Sequence, residues 1–436
     1  MGRGTMRAGR LTTLIAGAAL LALVAAACSS KGTSENSPKG VSGELSVAIN
    51  WTGAELDAFK AVIAGFQSAN PGVRVKLVQI PFEDMQSQLT QQFAAGSPPD
   101  VTVALPGLIR QLSDQGLLEP LDDLWDRWVG AGEYTKALRD IASFNGHAYG
   151  VWFKGNVNAL VWYEPAVLQH LGISVPTTWQ QFDAAAAKAK AAGMEAFAVG
   201  GADLWPLTQW SDAFLIRVAG ADVFNGLARG TVKWDDPRVV KSFQVLASFM
   251  ARYFPPDALD RKFSDEVCAW ANRKAAFDNQ GAFVNLIAPS ECNKSLVPGK
   301  SYSFFLMPKY DPSASNAQFV SGDLFAVAKD SKNAAAAKTL ARYLGSADGQ
   351  AIWAKRGGFV APNARVPMSV YPNANDVKAA QLWPRDPATP AGYDLDDFIG
   401  GQIQSTEREA LQQLVRDHDA NAFIATMMKV DTRAAG

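Results

Sequence analysis

The chain has 436 residues, of which 48% are hydrophobic and 19% charged, a globular composition long enough for two or three domain-sized units. Its formal net charge is −1, so no basic excess points to nucleic acid or to an anionic membrane surface. Twelve tryptophans suit large cores or stacking surfaces better than loops.

The first segment is an export signal. Arg3, Arg7 and Arg10 make a positive start, and Leu11 to Val24 is apolar and uncharged but short for a membrane span. Ala25-Ala26-Ala27-Cys28 follows, a small-residue cleavage site that resembles a bacterial lipobox, with Ala25 where Leu is usual. This reading makes 1–27 a signal peptide and Cys28 the lipidated first residue of an exported protein on the outer face of the cell membrane. Residues 28–43, rich in Ser, Gly, Lys and Pro, read as a flexible tether. Beyond it only Cys268 and Cys292 remain, and in an exported chain they are expected to form a disulfide.

Residues 43–50 alternate as a first strand. A helix follows, with Thr52 as its expected cap and Leu56, Phe59, Val62, Ile63 and Phe66 on one face. Asn70-Pro71-Gly72 turns into a strand through Val73, Val75, Leu77 and Ile80; Glu83 to Phe93 is a second helix and 100–105 a third strand. Strand, helix, strand, helix, strand predicts an open α/β sheet whose ligands sit beyond the carboxyl ends of the strands. Here those ends are Asn50-Trp51, Pro81-Phe82-Glu83 and Leu105-Pro106.

The run Tyr149 to Tyr163 is apolar and aromatic, yet Lys154, Asn156 and Asn158 interrupt it. Burying three such side chains without partners costs a few kcal/mol each, so the run is expected to cross between two lobes with Lys154 and Asn156 at the hinge. Pro176 to Phe182 opens an Ala/Lys-rich helix, and 196–199 is a strand. Trp205 and Trp210 follow on a helix; five residues apart, they do not share a face, which places Trp205 at a cleft and Trp210 in a core. Strands are expected at 302–307 and 323–328, and helices at 282–287, 333–343, 404–416 and 419–430.

Several short segments in order then carry a resemblance: Phe66 to Val75, Ala94 to Val101, Gly116 to Leu121, Gly146 to Val151 and Pro176 to Trp179. Together they resemble the extracellular solute-binding proteins of carbohydrate ABC importers, solute-binding protein family 1. Gly322-Asp323, Trp353 to Asn363, Val366-Pro367 and Tyr371 to Asn373 resemble its α-glucoside-binding branch. One departure is Phe283 after Gly281, where the family usually has Gly followed by Trp.

The resemblance implies a two-lobed α/β, periplasmic-binding-protein-like fold with a ligand cleft between the lobes. Lobe one is expected at 44–152 and 280–330, lobe two at 153–279 and 331–436. The implied protein is a monomer without cofactor that hands a sugar to ABC permease subunits and is not an enzyme. A sugar needs amides, carboxylates and Arg along its edges and aromatic rings on its faces. The expected ligand-binding residues are Trp51, Glu55, Glu83, Lys154, Asn156, Trp205, Asn279, Gln280, Asp323 and Arg356. A peptide or phosphoester suits the same fold. A secreted glycoside hydrolase would need two carboxylates across the scissile bond, and no sequence feature pairs Glu55, Glu83 and Asp323. His147, His170 and His418 are scattered and make no zinc site, so no metal is expected.

Overall fold

The computed structural model describes residues 41–313, 317–386 and 388–433. The expected signal peptide, Cys28 and nearly all of the tether lie outside the described residues.

Among the described residues twelve strands form in chain order: β1 Gly43–Ile49, β2 Val73–Gln79, β3 Val101–Ala104, β4 Ser143–Phe144, β5 His147–Ala148, β6 Val151–Val157, β7 Leu160–Tyr163, β8 Glu195–Ala198, β9 Ala275–Gln280, β10 Ser303–Leu306, β11 Gln318–Val327 and β12 Ala391–Tyr393. The first sheet runs β12-β11-β3-β1-β2, with β6 also paired to β11. β1 is parallel to β2 and β3, as short right-handed crossovers require, and β11 enters antiparallel to β3. The second sheet runs β10-β7-β9-β8.

Two cores form: the larger takes the first sheet and one face of the second, with Trp162, Trp270, Tyr302 and Phe304, and the other packs on the opposite face of the second sheet with Val161, Phe197, Phe277 and Phe305. Helix Gly53–Ala69 covers the first sheet with Ala58, Phe59, Val62, Ile63 and Phe66; of the predicted apolar face only Leu56 is half-buried rather than buried. Thr52 sits at its N-cap position but its side chain makes no capping bond; the Glu291 carboxylate accepts the Ala54 N–H instead, at 3.0 Å. Helix Pro237–Tyr253 buries Val239, Phe243, Leu246 and Met250 in the second core, and Trp210 lies there too, fully buried.

Two expected boundaries move. β6 stays in the first sheet through Val157, paired with β11 along its length, so the first crossing is Asn158-Ala159 rather than 152/153. Ala159 makes the turn at φ +55°, a left-handed conformation that a non-glycine residue seldom adopts. Lys154 and Asn156 therefore belong to the first sheet, short of the hinge. Helices Ala334–Gly345 and Ala347–Ala354, expected in lobe two, lie on the first core: Ala336, Ala337, Leu340, Ala341 and Leu344 join it, and Trp353 packs edge-on against Trp51. Their apolar faces fit either lobe in sequence; the fit to β6 and β11 decides. The chain crosses again from β12 to helix Leu395–Ile399, whose Leu395 and Ile399 join the second core. Among the described residues no helix is long and apolar enough to cross a membrane.

Candidate functional site

The carboxyl ends of β1, β2 and β3 deliver Asn50, Trp51, Ile80, Pro81 and Leu105 to a cavity of about 580 Å³. Its other lining comes from β6 (Lys154, Asn156), β11 (Ser321, Gly322, Asp323), the helix N-termini at Trp205 and Phe263, and the crossing at Asp394 and Asp397. The cavity thus lies where the two cores meet. A second cavity of about 570 Å³ shares Phe82, Glu83, Leu105, Asp203 and Asp397 with it, so the cleft is elongated.

One wall is charged and buried. Lys154, 3% exposed, donates from Nζ to Glu55 Oε1 and lies 5.3 Å from the Trp353 ring centroid, 5.6 Å from Phe283 and 5.9 Å from Trp51. Those ring faces and the carboxylate hold the ammonium in a dry place. Asp323 lies beside it, and burial pushes its carboxyl up to about 6; Lys154 pulls the other way, Glu55 adds to the rise, and a hydrogen bond from the Trp51 side chain opposes it.

Another wall is aromatic. The Trp205 ring lies 4.7 Å from Phe263 and 6.1 Å from both Phe82 and Phe283. Trp205 is half-buried, as a ring that presents one face to a cleft must be. The turn before it is strained: Leu204 adopts φ +67°, ψ −61°, the γ-turn region, next to the cleft. Phe283 supplies a ring two residues after Gly281, so the departure at that position leaves an aromatic group in the cleft.

The polar lining is unfinished. Asn50 Oδ1, Asn156 Oδ1, Gln209 Oε1 and Asp394 Oδ1 are buried and accept no hydrogen bond from the protein. Each such acceptor costs roughly 1–3 kcal/mol unless a donor reaches it.

Of the expected site residues, Trp51, Glu55, Glu83, Lys154, Asn156, Trp205 and Asp323 line the cleft. Trp51 does so with its ring packed among Phe59, Phe153, Phe325 and Trp353, a core position rather than an open stacking face. Three residues lie elsewhere. Asn279 is fully buried and donates to the Gln209 carbonyl at 3.3 Å, bracing the helix that carries Trp205. Gln280 is fully buried and donates to Glu266 Oε1 at 2.9 Å. β9 is covered on both faces, so neither side chain reaches the cleft. Arg356 is exposed. The close approach that Gly358 permits, at φ +62°, is to Leu286: a Cβ there would stand 2.5 Å from the Leu286 Cβ.

The lining also includes Asn50 and Phe82, at the strand ends expected to face the ligand, Phe283, noted only as a departure, and Asp203, Gln209, Phe263, Asp394 and Asp397, which sequence reasoning missed. Asp394-Leu395-Asp396-Asp397, three acids inside an apolar run, was the clearest available signal.

The fold and cleft define a two-lobed α/β binding protein. The sequence profile described as "Bacterial extracellular solute-binding protein" matches residues 50–351, and the chain belongs to that family. The family is one of binding proteins, not enzymes. The alpha-glucosides-binding periplasmic protein AglE of Rhizobium meliloti (strain 1021) is 27% identical over 382 residues, covering 82% of this chain and 80% of the relative. Two solved structures share the fold. A chitin oligosaccharide binding protein superposes with TM-score 0.79 at 21% identity, over 91% of this chain and 100% of that one. The bacterial solute receptor AcbH, with an exclusive substrate preference for β-D-galactopyranose, has TM-score 0.79 at 23% identity, over 90% of this chain and 98% of that one.

Proposed function

We propose that this chain is the substrate receptor of an ABC importer and that it captures an α-glucoside or short α-linked oligosaccharide. The single observation that carries this is the set of four buried acceptors without protein donors, facing an aromatic platform. A polyol offers many O–H donors and flat C–H faces, and it satisfies both. The elongated cleft suits more than one ring. The kinship with an alpha-glucosides-binding protein supports the choice of sugar. Trp205, Phe263 and Phe283 take the ring face; Asp323, Asp394, Asn50, Asn156 and Glu83 take the hydroxyls; Lys154 and Glu55 set the charge of the wall. The ligand draws the lobes together because the closed state binds it better than the open one, and the permease subunits read the closed form.

The exported protein is held at the outer face of the membrane by lipid on Cys28 and acts as a monomer in this reading. Cys268 and Cys292 are joined in the structure, with Cα atoms 4.9 Å apart, and the bond clips helix Phe263–Ala271 to the segment Ala288–Cys292. We take it to form on export. Thiol titration of the unfolded, non-reduced mature protein is expected to find no free thiol; two would contradict it.

A thermal-shift panel of α-glucosides, peptides and phosphoesters tests the ligand class. A sugar is expected to raise the melting temperature. A rise with peptides or phosphoesters alone overturns the sugar reading while leaving the receptor reading in place.

A further inference from the structure

Behind the cleft floor, acidic side chains gather where β12 hands over to helix Leu395–Ile399. Asp212 reaches them from helix Trp205–Val218, and Asp394 and Asp396 from the crossing itself. One oxygen from each of the three carboxylates lies within 4.8 Å of the others. All three are 2% exposed or less.

Their hydrogen bonds share one pattern. Asp212 Oδ2 accepts the Leu395 N–H at 2.7 Å, Asp394 Oδ2 accepts Gln209 Nε2 at 3.0 Å, and Asp396 Oδ2 accepts Arg408 Nε at 2.6 Å. Oδ1 of each accepts no donor from the protein. Protein donors therefore orient each carboxylate by one oxygen and leave the other, as outer partners do around a metal ion. Glu407 adds an independent observation. It comes from helix Gly401–Asp417, is fully buried, and neither of its oxygens has a partner. The nearby charges acting on it are led by Asp212 and Asp396.

Charge is unbalanced there. Five buried acids, Asp212, Asp394, Asp396, Asp397 and Glu407, gather in this region, and the Arg408 guanidinium bonds two of them, Asp396 and Asp397. Arg433 is directed to Asp431 and to the carbonyls of Ala228 and Leu227.

We propose that Asp212, Asp394 and Asp396, with Glu407 beside them, bind a hard divalent cation of the calcium class. The donors are all oxygen, which suits such an ion and excludes a soft one. The ion would tie a second-lobe helix to the crossing and fix Asp394 at the cleft. Asp394 Oδ1 would then serve both the ion and a sugar hydroxyl, so the test uses metal alone.

Protein purified without chelator is analysed by elemental mass spectrometry, then unfolded thermally with EDTA and after adding back Ca²⁺, Mg²⁺ or Mn²⁺. The expected results are near-stoichiometric metal, a lower melting temperature in EDTA and recovery with Ca²⁺. Asp212→Asn keeps the acceptor for the Leu395 N–H and is expected to weaken Ca²⁺ binding at least tenfold. No metal and no response to EDTA or cations would show that the carboxyl groups share protons instead, and would overturn the site. So would metal that binds Asp212→Asn as tightly as the wild type. If that variant does not fold, the metal content and EDTA response of the wild type decide.

Discussion

Lys154 and Asp323 stand directly opposite in the β6–β11 pair, at the point where its register shifts. Beyond them Trp152 opposes Leu324, so Phe153 is the extra residue of a bulge. A bulge turns neighbouring side chains, and here it leaves a cation and a carboxylate side by side on the cleft wall. Glu55 completes the group from the first turn of its helix.

Lys154→Met removes the cation and leaves two carboxylates in a dry wall. Breaking a buried ion pair from one side costs about 3–5 kcal/mol. The urea midpoint is expected to fall by a corresponding amount, and the loss to shrink in the double variant with Glu55→Gln. A single variant as stable as the wild type would show that the pair contributes nothing.

Asp323 gives a pH signature. Burial pushes its folded carboxyl up to about 6, above the ordinary aspartate value of 3.8, so between those values the folded state holds more protons than the unfolded one. Stability from this group is therefore greatest below the unfolded value and declines as pH rises to about 6. Asp323→Asn is expected to remove that component. The stability difference, variant minus wild type, should grow in the variant's favour from pH 4 to pH 6.5 and then level off. A difference that does not change with pH contradicts the assignment.

Gly322 of β11 pairs with Gly155 of β6 and leaves no room for a side chain. A Cβ there would stand 2.3 Å from the Lys154 carbonyl oxygen and 2.8 Å from the Trp152 ring, with backbone on one side that cannot rotate away. Gly322→Ala is expected to destabilise by about 1–3 kcal/mol, as overpacking does, and to weaken ligand binding because Lys154 and Asp323 move. Chemical denaturation measures the first effect and calorimetry the second.

Trp205 is half-buried and sits on the cleft wall, so its removal should leave the cores intact. Trp205→Ala is expected to lower sugar affinity roughly tenfold, about 1.4 kcal/mol, with little change in melting temperature. Unchanged affinity would remove Trp205 from the site.

The first α/β unit was legible because β1 and β3 are buried under a helix with strong apolar periodicity, as Phe59, Val62 and Phe66 show. The first crossing was less so: Lys154 and Asn156 looked like hinge residues, but their polarity reflects the cleft, and the turn falls at Ala159. The placement of Ala334–Ala354 depends on contacts far apart in sequence, which periodicity does not encode. The same limit explains the site. Trp51, Glu83 and Trp205 follow strand ends or open helices, and that local position places them at the cleft. Asn279 and Gln280 sit in a strand buried on both faces, where the direction of a side chain depends on sheet neighbours. Asp394 and Asp397 come from a crossing that follows a three-residue strand, too short to announce itself.

The central claim is that the cleft between the two cores binds a sugar through the unpartnered acceptors and the Trp205 platform. Calorimetric titration of the purified protein with maltose, sucrose and trehalose tests it most directly. The account predicts one-to-one binding of at least one of them near micromolar affinity, about −8 kcal/mol, weakened in both Trp205→Ala and Asn156→Ala. No heat with any α-glucoside, or binding that both variants leave unchanged, would contradict it.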